Sequence, residues 1–442
     1  MKVYEIIPNA RRIIKSLRDM GYDFSTAVAD IVDNSIEAGA SRVDIVAGFY
    51  GNDSFVLISD NGKGMNIEEL KEAMRYGSER EYNEEDLGKF GLGLKTASMS
   101  QCQRLSVASR LKSSKEITAF CWDLSHIEKT NRWEILQITE KDAFDFISSN
   151  LSDHSGTVVL WEKLDRIIDF KDPDGESARK KMISMCRDLE MYLGMIFHKF
   201  LSNEVPGKSL EIYLNNNKIL PWDPFAREEP KTKILAPIKI KLVSKDIQGK
   251  IVLQPYILPT KDEFSSPNKF KYLSGPLNWN QQQGFYIYRA GRMIQSGGWC
   301  GLRVPDEHTK LFRIELNFSP VFDNAFKINV AKMRVQLPAQ IKEVIDSAIS
   351  PVVQVARDYY DRGNKISSGP ANYPTLVTAN ASITSEEDSP SENRADFSSH
   401  PNRYITFTID EIEKRAKELA VGEEKDIISK IFIKLRKKLF GE

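Results

Sequence analysis

Asp30 and Asn34 stand at i and i+4 in the run Thr26-Ala27-Val28-Ala29-Asp30-Ile31-Val32-Asp33-Asn34-Ser35-Ile36-Glu37. On a helix they occupy adjacent turns of one face, with Asp33 and Glu37 inside the same ~100° arc. A proton-accepting carboxylate and a neutral amide are thus presented together, while Val28, Ile31, Val32 and Ile36 form the opposite face. By itself such an arc serves equally well as a solvated face. Twenty-six residues after Asn34, the apolar run Phe55-Val56-Leu57-Ile58 leads into Asp60-Asn61-Gly62-Lys63-Gly64-Met65. Asn-Gly is ordinary turn chemistry. It also suits a site where Asp60 accepts a hydrogen bond from an exocyclic amine and glycines admit a ligand to the backbone. A third stretch, Gly88-Lys89-Phe90-Gly91-Leu92-Gly93-Leu94-Lys95-Thr96-Ala97-Ser98, places three glycines ahead of a helical pattern. Free N–H groups there could face phosphate oxygens. Gly207-Lys208-Ser209 has Ser202 where a P-loop requires its first glycine, which excludes that class of phosphate binder.

These stretches must be positioned by an α+β scaffold. Ser25 can cap the first helix and Gly39 can end it. Helical and strand patterns alternate from residue 1 to about 165, closing on the strand-like Gly156-Thr157-Val158-Val159-Leu160-Trp161. After the turn cluster Asp172-Pro173-Asp174-Gly175, a helical pattern runs from Glu176 to about Phe200, with Met182, Met185, Leu189, Leu193 and Ile196 at spacings of three and four. Strand-like runs follow at Ser209–Leu214, Ile234–Val243, Ile251–Leu258, Gly284–Ile294 and Leu311–Phe318, and then a helix from about Ala339 to Tyr360. This divides the chain into a domain over 1–165 and a second over 170–362. Residues 363–402 are rich in Ser, Asn, Pro and Ala and read as a disordered linker, since they cannot bury enough apolar surface to offset chain entropy. In 403–442, Ile428, Phe432, Leu435 and Leu439 are spaced four, three and four on a helix that docks on the body or pairs with another chain.

The 442 residues carry 62 Lys plus Arg against 62 Asp plus Glu, so the net charge of zero excludes a polybasic binder and leaves only local patches for nucleic acid. No apolar run approaches the ~18 residues of a membrane span. The opening Met1-Lys2-Val3-Tyr4-Glu5 lacks a signal-peptide pattern, so a cytoplasmic location is expected. The four cysteines and five histidines lack metal-ligand spacing, and no metal site made by protein ligands alone is expected.

Taken together and in this order, the three stretches resemble the GHKL superfamily of ATPases, which includes DNA gyrase, sensor histidine kinases and MutL. A fourth, Ser155-Gly156-Thr157, completes the set. The wording Asp33-Asn34-Ser35-Ile36-Glu37-Ala38-Gly39-Ala40 and Gly91-Leu92-Gly93-Leu94-Lys95 is most similar to bacterial relatives of the MORC ATPases. The resemblance implies a Bergerat-type α/β sandwich followed by a transducer domain like ribosomal protein S5.

It further implies ATP and magnesium as ligands. Asn34 would coordinate the magnesium, and Asp60 would read the adenine amine. Gly62, Gly64 and Met65 would shape the base pocket, and Asp33 and Ala38 would also belong to the nucleotide site. Gly88, Phe90, Gly91, Leu92, Gly93, Leu94 and Lys95 would form the phosphate end of a lid, and Thr157 would support the adenine. Asp30 stands where the family usually has Glu as general base, and its side chain is one methylene shorter, so slow hydrolysis is expected. In the second domain Lys332, then Lys327, would reach the γ-phosphate. The implied function is an ATP-dependent homodimer closing as a MORC-like clamp, its target DNA or a DNA-bound complex in a defence or restriction setting. Beside it stand a chaperone-like or signalling switch acting on proteins and an ATP-binding pseudoenzyme. A sensor kinase is disfavoured because no His sits in a helical hairpin ahead of the ATP domain, and MutL-type repair because Gly88–Ala97 reads differently from that family's lid. A protein partner could engage the C-terminal helix, and no membrane partner is expected.

Overall fold

The computed structural model describes residues 4, 8–19, 21–77, 93–152, 154–243, 248–318, 337, 339–363 and 378–382. Two compact units divide the chain, Met1–Ser385 and Glu386–Glu442, and all the described residues belong to the first. The elements of its first part are α1 (Ala10–Arg18), α2 (Phe24–Glu37), β1 (Arg42–Gly48), β2 (Phe55–Asp60), α3 (Ile67–Met74), α4 (Gly93–Met99), β3 (Arg104–Arg110) and β4 (Thr118–Asp123). Then come α5 (Leu124–Thr130), β5 (Leu136–Gln137), α6 (Lys141–Ser148), β6 (Gly156–Glu162), α7 (Glu176–Ile196), α8 (His198–Leu201), β7 (Glu211–Leu214) and β8 (Asn217–Lys218). The fold is α+β, as expected.

The eight strands form one mixed sheet in the order β5-β4-β3-β6-β2-β1-β7-β8. Alternation along the strands sorts its two faces. Val56, Ile58, Leu105, Val107, Val159 and Trp161 point into a core shared with α1, α2, α4 and α7. Leu57, Ala108, Val158 and Leu160 face the other way, against Ile147 of α6. Helix α2 lies wholly on the first face, and eleven of its fourteen residues are buried. Its cap is Asp23 rather than the expected Ser25: the Asp23 carboxylate accepts from Thr26 N and Thr26 Oγ1, both at 2.8 Å.

The expected boundary at 165–170 falls inside this sheet. Strand β7 pairs parallel to β1, from Arg42 with Glu211 to Ile45 with Leu214, so the sheet is complete only at residue 218. The Asp172–Gly175 turn cluster therefore leads into a crossover helix, α7. A parallel neighbour needs such a crossover.

The remaining elements are β9 (Lys233–Ile234), β10 (Ile238–Val243), β11 (Gln248–Ile257), α9 (Pro267–Leu273), α10 (Asn278–Gln281), β12 (Gly284–Arg289), β13 (Arg292–Ser296), β14 (Phe312–Phe318), α11 (Ala339–Gly363) and β15 (Thr378–Ser382). They build a second sheet, β13-β12-β14-β11-β10-β15, with β9 paired to β11. One face packs on α11 through Ile240, Leu253, Phe285, Ile314, Ile345 and Ile349. The other contributes Tyr256, Tyr286, Tyr288 and Met293 to the core that the first sheet shares with α2 and α7. The run Gly284–Ile294, expected as one strand, is a hairpin that turns at Ala290 and Gly291, whose φ angles are 49° and 85°. Within the expected linker, Thr378–Ser382 pairs parallel with β10. The C-terminal segment 403–442 lies outside the described residues.

Candidate active site

Helix α2 carries its polar residues in two different environments. Asp30 and Asp33 are 4% and 2% exposed, whereas Asn34 is exposed. The Tyr22 hydroxyl, in the segment ahead of α2, donates to Asp30 Oδ2 at 2.9 Å. Burial first, then the Asp30 charge, push the Tyr22 hydroxyl well above its ordinary value, so it stays protonated and donates. A methyl group at Gly93 would sit 3.5 Å from Asp30 Oδ2, which places the first residue of α4 against the same carboxylate. Asp33 is engaged elsewhere. Arg292 of β13 donates from Nε to Asp33 Oδ1 at 2.8 Å, and both side chains are 2% exposed. Of the polar arc, only Asn34 is exposed and Glu37 is half-buried. The nucleotide role expected for Asp33 meets a carboxylate already held by the second sheet.

At the end of β2, Asp60 is tethered on both oxygens. Gly62 N donates to Oδ1 at 2.8 Å and the Ser35 hydroxyl to Oδ2 at 3.0 Å. Burial pushes the Asp60 carboxyl up from its ordinary value, and the hydrogen bonds from Gly62, Ser35 and the Thr157 backbone oppose that shift. A carboxylate has about four lone-pair sites, so this one keeps acceptor capacity for an amine. Thr157 lies directly across from Asp60 in the β2–β6 register. Its hydroxyl is 3.0 Å from the Ser109 hydroxyl, which in turn accepts from Met65 N at 2.9 Å. Ser155 donates to the Gly62 carbonyl at 2.7 Å, and Lys63 N donates to the Ala38 carbonyl at 2.9 Å. Ala38, Asp60, Gly62, Gly64, Met65 and Thr157 are therefore brought together.

The glycines of this corner are there for space. A Cβ at Gly62 would come within 2.8 Å of Ala38 Cβ, and one at Gly64, whose φ is +70°, within 1.9 Å of the Arg110 carbonyl oxygen. An amine acceptor at Asp60 and an exposed amide at Asn34, one turn from the buried Asp30, fit a purine nucleotide with a magnesium ion.

Lys95 is 2% exposed, and its ammonium donates to the Ala73 carbonyl at the end of α3, 3.0 Å away. Burial lowers it to about 8. Leu94 packs against the core. Gly88, Phe90, Gly91, Leu92, Lys327 and Lys332 lie outside the described residues. Sequence reasoning missed Tyr22, Ser35, Ser109 and Arg292 as parts of the site. Ser35 had a local signal, as it directly follows Asn34, but Arg292 is 259 residues from its partner.

Residues 22–157 match the family described as histidine kinase-, DNA gyrase B-, and HSP90-like ATPase. The chain carries a GHKL-type ATPase domain. The chain is similar to the DNA mismatch repair protein MutL of Azorhizobium caulinodans, at 37% identity over 94 residues, 20% of this chain and 15% of that protein. MutL of Shewanella oneidensis is 36% identical over 97 residues, 21% of this chain and 15% of that protein. The matched segment is thus a small part of those relatives. A solved structure titled as the N-terminal domain of a DNA repair protein aligns with a TM-score of 0.43 and 16% identity over 80% of this chain and 97% of that one. Among the described residues, no helix is long and apolar enough to cross a membrane.

Proposed function

We propose that the protein binds ATP with magnesium at the α2–β2 corner and hydrolyses it slowly. The reading is carried by the contrast on α2, a buried carboxylate at Asp30 and an exposed amide at Asn34 one turn on. Asp60, held by Ser35 and Gly62, reads the adenine amine. Asn34 holds the magnesium, which when bound neutralises phosphate charge. Asp30 accepts a proton from water as that water attacks the γ-phosphorus. The bond to the bridging oxygen breaks, releasing ADP and phosphate. A shorter acid than glutamate reaches less far, which supports slow turnover.

The test is a pair of variants. Asn34→Ala loses magnesium-dependent ATP binding, whereas Asp30→Asn keeps binding and loses turnover by ~100-fold or more, the usual contribution of a general base. Tight ATP binding by Asn34→Ala would show that the site is elsewhere.

The wider reading is that ATP drives two copies together as a MORC-like clamp on DNA or a DNA-bound complex. The wording of the α2 and Gly91–Lys95 stretches supports the MORC comparison, and the mismatch-repair proteins among its relatives support DNA. Retention of ATP-bound protein on long DNA, lost steeply as salt is raised, tests it through counterion release. No retention at low salt would favour a protein target, which the zero net charge accommodates without a basic surface.

A further inference from the structure

Asp30 has a problem that a glutamate in its place would not have. Its carboxylate sits one bond closer to the helix backbone, and the next carboxylate, Asp33, is only three residues on. What fixes it comes from outside the helix. Tyr22 lies eight residues earlier, and its hydroxyl reaches Asp30 Oδ2 at 2.9 Å. The tyrosine is itself anchored at both ends. Its ring belongs to the core packed around α2 and α7, and its carbonyl accepts from Gln101 Nε2 at 3.1 Å, just beyond α4. Gln101 Nε2 also donates to the Ser100 hydroxyl at 2.8 Å. The neighbouring Asp23 caps α2, so the backbone that carries Tyr22 is tied to the helix it serves. The residue carrying this hydroxyl is thus held between the start of α2 and the end of α4, the helix at whose first residue, Gly93, a Cβ would lie 3.5 Å from the same oxygen.

We propose that Tyr22 is a positioning residue for Asp30: its hydroxyl fixes the torsions of the shortened acid and so sets where a proton from the attacking water is received. The inference rests on the reading of Asp30 as general base. A hydrogen bond to an ionised group is roughly twice as strong as a neutral one, and it restricts the acceptor's direction as well as its charge. Tyr22 touches no reacting atom. Its loss should therefore slow the chemical step while leaving nucleotide binding alone.

The experiment compares Tyr22→Phe with wild type on the full chain, using magnesium and ATP well below the melting temperature. The phenylalanine keeps the ring in the core and removes one oxygen. The expected result is a fall in kcat of about tenfold, with KM and the directly titrated ATP affinity within about twofold of wild type. A kcat within twofold of wild type, or a KM raised in step with the loss, would overturn the proposal, because a packing role predicts the latter. Asp30→Asn separates the two layers. If it turns over ATP at the wild-type rate, the general-base reading fails. If it is inactive while Tyr22→Phe is unimpaired, only the assignment of Tyr22 fails.

Discussion

Arg292→Met removes the guanidinium from a pair in which both side chains are 2% exposed and the Nε–Oδ1 distance is 2.8 Å. Asp33 then remains in the core without that positive charge. Breaking a buried pair on one side typically costs about 3–5 kcal/mol, most of it the penalty of the charge left behind. The guanidinium also lies 5.7 Å from the Phe197 ring and donates to the Met293 carbonyl at 3.2 Å, contacts that methionine replaces only with packing. At ~2–4 °C per kcal/mol for a domain of ~150–250 residues, the melting temperature should drop by about 10 °C. The double variant Asp33→Leu with Arg292→Met removes both charges and should recover more than half of that loss, as hydrophobic replacements of buried pairs do. Urea denaturation of wild type, both single variants and the double variant gives the coupling energy directly. A stability of Arg292→Met within about 0.5 kcal/mol of wild type, or a double variant no better than the single, would refute the reasoning.

Other consequences follow from individual positions. Gly64→Ala forces a Cβ to within 1.9 Å of the Arg110 carbonyl at a φ of +70°, so ATP binding should be lost and stability reduced by about 2 kcal/mol or more, measurable by nucleotide titration and urea melts. His198 is buried, with Nε2 2.7 Å from the Tyr288 hydroxyl, and burial lowers it to about 4. Since the unfolded chain binds this proton from pH ~6.5 downward and the folded chain does not, stability should be full above that pH. It should fall by about 1–2 kcal/mol between pH 6.5 and 5. His198→Gln should flatten this part of the profile, and an unchanged slope would remove His198 as its source.

The parts of the site that were legible in the sequence are those whose geometry is local. Asp30 and Asn34 follow from helical spacing, and Asp60 with Gly62 and Gly64 from a strand running into a turn. Which member of a polar arc faces water is not local. Asp33 and Asn34 are adjacent in sequence, yet one is sealed against Arg292 and the other is exposed, because a strand more than 250 residues away packs on one flank of α2. The same limit hid the end of the first sheet. The turn at Asp172–Gly175 carries every mark of a boundary, and only the pairing of β7 with β1 shows that the chain returns. Ala290-Gly291 was the opposite case, a short turn whose one glycine was outweighed by the strand-like residues around it.

That return has a bearing on how such proteins can be recombined. The residues proposed to bind nucleotide end near Thr157, but the wall they lean on is finished by α7, β7 and β8 and lined by tyrosines from the second sheet. The portion matched to the ATPase family is therefore not a cassette that can be lifted out at residue 165 and joined to a different effector. A viable seam lies beyond Lys218, and even there the graft must bring a partner for Asp33. In lineages built on this plan, the two halves are expected to change together rather than by exchange.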